Sequence, residues 1–174
     1  YGGDNGSNKY SALNQINSDN VSQLVTAWEW DSPDNALVAD IMQSSGPMLR
    51  PGPFKSTPIV VNGIMYLPTT YGQIISLDPA SGETYWVFDT KTYQDGRPTN
   101  LGFNVRGVAY WEDSRKTRIF FATNNSYLWS IDSNSGLPDP EFGENGRVDL
   151  TLGLGREVDR SQYGVVSPPL VSNN

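Results

Sequence analysis

Short apolar runs separated by turn residues fill the chain between residues 56 and 89, STPIVVNGIMYLPTTYGQIISLDPASGETYWVFD. Residues 59–61 form the first run. Asn62-Gly63 follows, the dipeptide that a two-residue hairpin turn with positive φ prefers. Residues 64–68 read as a second strand and, after a turn at 70–72, residues 73–77 as a third. The polar turn Asp78-Pro79-Ala80-Ser81-Gly82 leads into a fourth at 84–88. Four short strands with a turn between each pair make a meander, and its faces need neighbours to cover them.

The neighbour is a repeat of the same unit. Ile75-Ser76-Leu77-Asp78-Pro79-Ala80-Ser81-Gly82 is echoed 54 positions later by Trp129-Ser130-Ile131-Asp132-Ser133-Asn134-Ser135-Gly136. In the same register Tyr66-Leu67 matches Phe120-Phe121, and Thr57-Pro58-Ile59-Val60 is echoed 111 positions later by Pro168-Pro169-Leu170-Val171. Four-stranded units recurring at such spacing predict an all-β protein, a partial β-propeller. No 3.6-residue apolar period supports a helical solenoid, and a β-sandwich would not repeat a turn motif at a fixed long offset. The expected layout is a leader loop and strand at 1–30 that close the last blade. A full repeat at 56–89, a second at 105–150 and the start of a third at 165–174 follow. That is about two full blades plus part-blades of an eight-bladed ring, which at this spacing needs roughly 430 residues. The chain stops where a new hairpin would turn, and is expected to be an incomplete propeller, marginally stable and aggregation-prone by itself.

Between these units the pattern changes. Residues 16–24 carry a short helical signal with Asn17 or Ser18 as cap. Residues 25–30 read as a strand that puts Trp28 and Trp30 on one face. Residues 31–55 form a long connection with an apolar patch at 37–42, expected to cover one face of the ring. In the second repeat, strands are expected at 105–111, 117–123 and 127–131. A loop follows at 137–147, 149–163 is irregular, and a strand opens the third repeat at 165–171.

Composition narrows the chemistry. The chain has 12 basic and 19 acidic residues with no basic cluster, which disfavours a nucleic-acid partner. Cys and His are both absent, which excludes disulfides, thiolate chemistry, the usual zinc sites and any Ser-His-Asp mechanism within these residues. Gly and Pro supply 17 and 12 residues, fitting a turn-rich β protein. No apolar run approaches the length of a membrane-spanning helix.

Four stretches in order resemble the quinoprotein dehydrogenases, which use pyrroloquinoline quinone (PQQ). They are Tyr1-Gly2-Gly3-Asp4 through Asn17, running on into Val25-Thr26-Ala27-Trp28; Ser76 through Trp86; Arg106-Gly107-Val108-Ala109-Tyr110-Trp111; and Phe142-Gly143-Glu144-Asn145-Gly146-Arg147-Val148-Asp149-Leu150. The second is similar to the family's tryptophan-docking motif, and the fourth to its glucose-dehydrogenase-like branch. Trp86 is then expected to fasten one blade to the next, with Asp78 and Ser81 capping their own turn and Gly82 supplying a positive φ. The second repeat has Pro140 in place of that tryptophan, so its next interface must be fastened differently, with Phe142 a candidate.

The resemblance implies a parent enzyme, periplasmic or secreted, that oxidises an alcohol or sugar by hydride transfer to PQQ with Ca²⁺ assistance. Its electron acceptor, a cytochrome or a quinone, is left open. The Ca²⁺ ligands and the catalytic base are expected outside these residues. The resemblance also implies three cofactor-binding candidates. Arg106 could pair with a PQQ carboxylate or quinone oxygen. Lys55 stands where the family often has Glu, and Ser167 follows Val166 where the family often has Thr. Asp78 and Asp132 are carboxylates in repeat turns and are expected to be structural. The alternative is a non-catalytic propeller that serves as a protein-binding scaffold, for which keeping Arg106 and the N-terminal segment would have no reason.

Overall fold

The structure is a computed structural model and describes residues 6, 8–45, 49–98 and 102–172. Tyr1 through Asp4 of the N-terminal motif, and Asn173-Asn174, lie outside the described residues. The described part is built from two antiparallel four-stranded sheets. The first comprises β1 (Ile59–Val61), β2 (Ile64–Pro68), β3 (Gln73–Leu77) and β4 (Thr84–Asp89), side by side in sequence order. The second repeats that order with β5 (Ala109–Glu112), β6 (Thr117–Ala122), β7 (Tyr127–Asp132) and β8 (Arg147–Asp149). Asn62 and Gly63 both take the positive φ that the β1–β2 hairpin demands.

The repeat is expressed in packing as well as in sequence. Leu67, Ile75 and Leu77 form one side of the first sheet, packed with Trp28 and Trp30. Their counterparts Phe121, Trp129 and Ile131 form the same side of the second sheet and pack on the first through Tyr66 and Ile74. Alternation along each strand therefore divides every sheet into a face toward the preceding unit and a face toward the following one. β3 is buried along its whole length, as the inner strand of a stack must be.

A tryptophan joint ties the units together. The Trp86 indole N–H donates to Ser133 O at 3.0 Å, and its ring lies on Gly136, where a Cβ would stand 2.6 Å from Trp86 Cδ2. One repeat earlier, Trp28 donates to Pro79 O at 3.2 Å and its ring lies on Gly82 in the same way. The turn that receives the ring is held by its own aspartate. Asp78 Oδ1 accepts from the Ala80 N–H at 2.8 Å, and Asp78 Oδ2 accepts from the Ser81 hydroxyl at 2.9 Å. Asp132 accepts from the Ser135 N–H and hydroxyl, both at 2.8 Å. Both carboxylates are spent on turns, as their positions suggested. Phe142 packs on Phe120 of its own sheet, with ring centroids 5.5 Å apart.

Several elements differ from the sequence reading. Residues 25–30 form no strand among the described residues. They are anchored by side chains alone, Trp28 on Pro79 and Trp30 on Thr84 Oγ1. The helical signal at 16–24 condenses to a 3₁₀ turn, Val21–Gln23, preceded by Asn20, whose side chain makes no capping hydrogen bond. The apolar patch at 37–42 lies in an α-helix, α1 (Asp34–Ser45), and not in an irregular connection. Residues 105–108 belong to no ladder among the described residues, and β5 begins only at Ala109. β8 follows the expected loop, in a stretch whose polar alternation gave little strand signal. Residues 165–171 form no strand among the described residues, and Pro168 and Pro169 offer no N–H to a ladder.

The antiparallel order fixes which connections share a side. The start of β1, the β2–β3 turn and the connection from β4 to β5 all lie at one end of the sheets. α1 covers that end. Asp34, buried at its start, accepts from Thr69 Oγ1 at 2.6 Å, Gln73 Nε2 at 2.8 Å and the Tyr71 N–H at 3.0 Å. Leu37, Val38 and Ile41 then pack with Leu49, Tyr71 and Phe103. The expectation that this connection covers one face is met by a helix pinned through a carboxylate.

Candidate functional site

The three candidate residues each sit just ahead of, or within, the first segment of successive units, on the end that α1 covers. Lys55 immediately precedes Ser56-Thr57, Arg106 precedes Gly107-Val108, and Ser167 precedes Pro168. The structure lays these segments side by side. The Thr57 N–H donates to Arg106 O at 2.8 Å. A Cβ on Gly107 would lie 3.3 Å from Thr57 O and 3.7 Å from the Pro168 ring. Residues far apart in sequence thus meet at one edge of the sheet stack, the edge formed by the first strand of each unit.

Their side chains differ in environment. Lys55 and Ser167 are exposed, and Arg106 is half-buried. The Arg106 Nε is buried with no hydrogen-bond partner among the described residues. A guanidinium is always charged and carries five donors, so a desolvated N–H left without an acceptor carries a cost. That cost is removed if an anion or carbonyl oxygen arrives there. Arg118 Nε is likewise buried without a partner among the described residues, but its guanidinium is ion-paired with Asp139, as that of Arg160 is with Asp149.

Two further recesses lie beside the same end. A groove of about 730 Å³ runs between α1 and the segment after β4, lined by Leu37, Ile41, Leu49, Tyr93 and Arg97 among others. A polar cleft of about 430 Å³ lies beyond Arg97 and includes Asp95, Asn125, Asp159 and Arg160. Most of the cleft's groups already have partners: Asn125 Nδ2 donates to Asp95 Oδ2 at 2.6 Å, and Arg160 to Asp149 and Asn125 O. Among the described residues no three Asp, Glu, His or Cys side chains gather as a metal ion would require.

Comparison with known proteins places this arrangement. All of residues 1–174 match the family described as PQQ, glucose/ethanol/alcohol dehydrogenase, β-propeller domain. The chain belongs to that family. Among relatives of this quinoprotein propeller, the quinoprotein glucose dehydrogenase of Gluconobacter oxydans is 28% identical over 190 residues, covering 99% of this chain and 22% of that protein. The dehydrogenase subunit of the alcohol dehydrogenase (quinone) of the same organism is 30% identical over 142 residues, covering 78% of this chain and 16% of its own length. The crystal structure of quinohemoprotein alcohol dehydrogenase from Comamonas testosteroni superposes with a TM-score of 0.58 at 24% identity, over 83% of this chain and 18% of that one. That likeness supports the propeller fold. The chain spans about a fifth of the length of these relatives.

Sequence reading selected the residues of this edge but passed over what holds them. Ser56 bridges two units at the edge, and Trp28 makes the same joint as Trp86. Trp28 was visible in the sequence as an aromatic 58 positions before Trp86, close to the repeat spacing. Ser56 gave no comparable signal.

Proposed function

We propose that the chain is part of a PQQ-dependent dehydrogenase that oxidises an alcohol or a sugar, acting in the periplasm or outside the cell. The observation that carries this reading is Arg106. It is a half-buried cation with an unsatisfied N–H at the shared edge of successive units, in a chain matched along its whole length by the PQQ propeller family. A planar tricarboxylate with quinone oxygens fits a planar guanidinium donor. Lys55 adds an exposed cation at the neighbouring segment and Ser167 an exposed hydroxyl. These residues would bind and orient the cofactor, Arg106 by charge-assisted hydrogen bonds and Lys55 mainly by its field. When bound, PQQ supplies a hydride acceptor and a calcium ion the Lewis acid that polarises it. The calcium ligands and the base that takes the substrate proton are assigned to other parts of the longer protein. The electron acceptor, a cytochrome or a quinone, is left open.

The test is a titration of the full-length protein carrying this chain with PQQ in the presence of Ca²⁺, followed by dye-linked oxidation of a panel of alcohols and aldoses. Removing Arg106 as Arg106→Ala is expected to weaken PQQ binding by about tenfold or more, the scale of a lost charge-assisted hydrogen bond. Protein that binds no PQQ would overturn the reading and leave the non-catalytic scaffold in its place.

A further inference from the structure

We infer that Ser56 is a positioning residue for Arg106, a clasp by which the first repeat fixes the backbone that carries the cofactor-facing cation of the second. This inference rests on the cofactor role given to Arg106 above.

The geometry is specific. The Ser56 hydroxyl lies 2.6 Å from Pro68 O, at the end of β2 in its own repeat. It also lies 3.4 Å from Val105 O in the next repeat. One O–H therefore faces two carbonyls from successive units, 12 and 49 residues away. The adjacent residue continues the grip, since the Thr57 N–H donates to Arg106 O at 2.8 Å. Consecutive residues of one repeat thus engage consecutive carbonyls, Val105 and Arg106, of the next.

The remaining contacts close the clasp. Gly107 lets the two chains approach, because a Cβ there would stand 3.3 Å from Thr57 O. Val105 and Val108, on either side, are buried with Ile119 and Phe121 in the core between the sheets. The backbone of Arg106 is held from both directions although residues 105–108 belong to no ladder. Among the described residues its Nε has no hydrogen-bond partner. With no hydrogen bond fixing Nε, the placement of the guanidinium depends the more on how firmly its backbone is held, and a long side chain binds more tightly when its base is fixed beforehand.

A merely structural serine would act on stability and leave the Arg106 interaction alone. The test is therefore a double-mutant cycle on PQQ affinity, read by quenching of tryptophan fluorescence in the full-length protein. Ser56→Ala is expected to weaken PQQ binding about three- to tenfold, the range for one net hydrogen bond. Ser56→Thr, which keeps the hydroxyl, restores it. In an Arg106→Ala background, Ser56→Ala changes nothing further. If Ser56→Ala does not fold, as judged by near-ultraviolet circular dichroism, Ser56→Cys is read in its place as a near-isostere with a weak donor. If Arg106→Ala leaves PQQ affinity unchanged, the cofactor role of Arg106 fails, and the clasp with it. If Arg106→Ala weakens binding but the Ser56 variants do not, the clasp alone is overturned. Equal loss from Ser56→Ala in both backgrounds also overturns it, because Ser56 would then act by a route other than Arg106.

Discussion

Tyr93 and Tyr110 are held protonated well past the ordinary range of a phenol. Burial is the main cause for each, and a hydrogen bond to a carboxylate adds to it. Tyr93 donates to Asp89 Oδ2 at 2.9 Å and Tyr110 to Glu112 Oε2 at 2.7 Å. Both are pushed up to about 12. The folded state favours the neutral phenol, so the stabilisation is complete below about pH 10 and is lost as pH rises toward 12. An absorbance titration of the phenolates should show two tyrosines ionising about two units late, with Tyr110→Phe removing one of them. Asp149 runs the other way. Its hydrogen bonds from Arg160 and Thr151 bring it down to about 2. Its contribution is present above about pH 4 and is lost as pH falls through 2. Arg160→Gln should move the Asp149 titration, followed by carboxyl NMR shifts, back toward about 4. At this scale the candidates Lys55, Arg106 and Ser167 came from the family resemblance, and the structure adds that their segments lie side by side at one edge. The sequence did not show Ser56, since a serine before Thr-Pro reads equally well as a turn residue, and its partners are remote in the chain.

Among elements, the joint between units carries the most consequence. Trp86 offers its ring to Gly136 and its N–H to Ser133 O. Trp86→Ala is expected to cost about 3–5 kcal/mol of unfolding free energy, as for large aromatic truncations in a packed site. Gly136→Ala should be damaging for a different reason. Its φ of +71° disfavours any Cβ, and the added methyl would collide with the indole. Urea unfolding of both variants, with tryptophan emission shifted to the red in the folded state of Gly136→Ala, would establish that the ring has left its seat. An unmoved spectrum and unchanged midpoint would contradict this account. The strands of the first sheet were legible because apolar runs and turn residues alternate there without ambiguity. The helix α1 was not, because its apolar contact rests on Leu37, Val38 and Ile41, and Pro33 and Gly46-Pro47 on its flanks read as loop. Its start signal, Ser32-Pro33, was present: Ser32 Oγ accepts from the Asp34 N–H at 3.3 Å. The fourth strand of the second sheet was hidden by the long loop before it.

The molecule as a whole has two kinds of surface. The seam between the sheets is closed by Tyr66, Trp86, Phe121 and Trp129, but the outermost strand of the first sheet leaves Tyr85 and Val87 exposed at 53% and 43%. Leu137 and Leu152 stand out similarly near the second sheet. Residues 1–174 expressed by themselves should therefore self-associate in a concentration-dependent way in sedimentation velocity, through exposed apolar surface and unpaired strand edges. A monomer with one reversible melt would contradict that. The tryptophan joint also sets how such an array can grow. The first unit carries an indole, Trp86, at its outer strand and a glycine seat, Gly82, in its own turn, so it is donor to one neighbour and acceptor to the other. A duplicated copy of the 54-residue stretch would arrive with both halves of the fastening already encoded. No new complementarity has to arise for a unit to be added, and the count of units is then limited by the wedge angle between sheets and not by the chemistry of the fastening. Pro140, which breaks the pattern, marks the one seam among these units where a spliced-in copy would find no indole to receive.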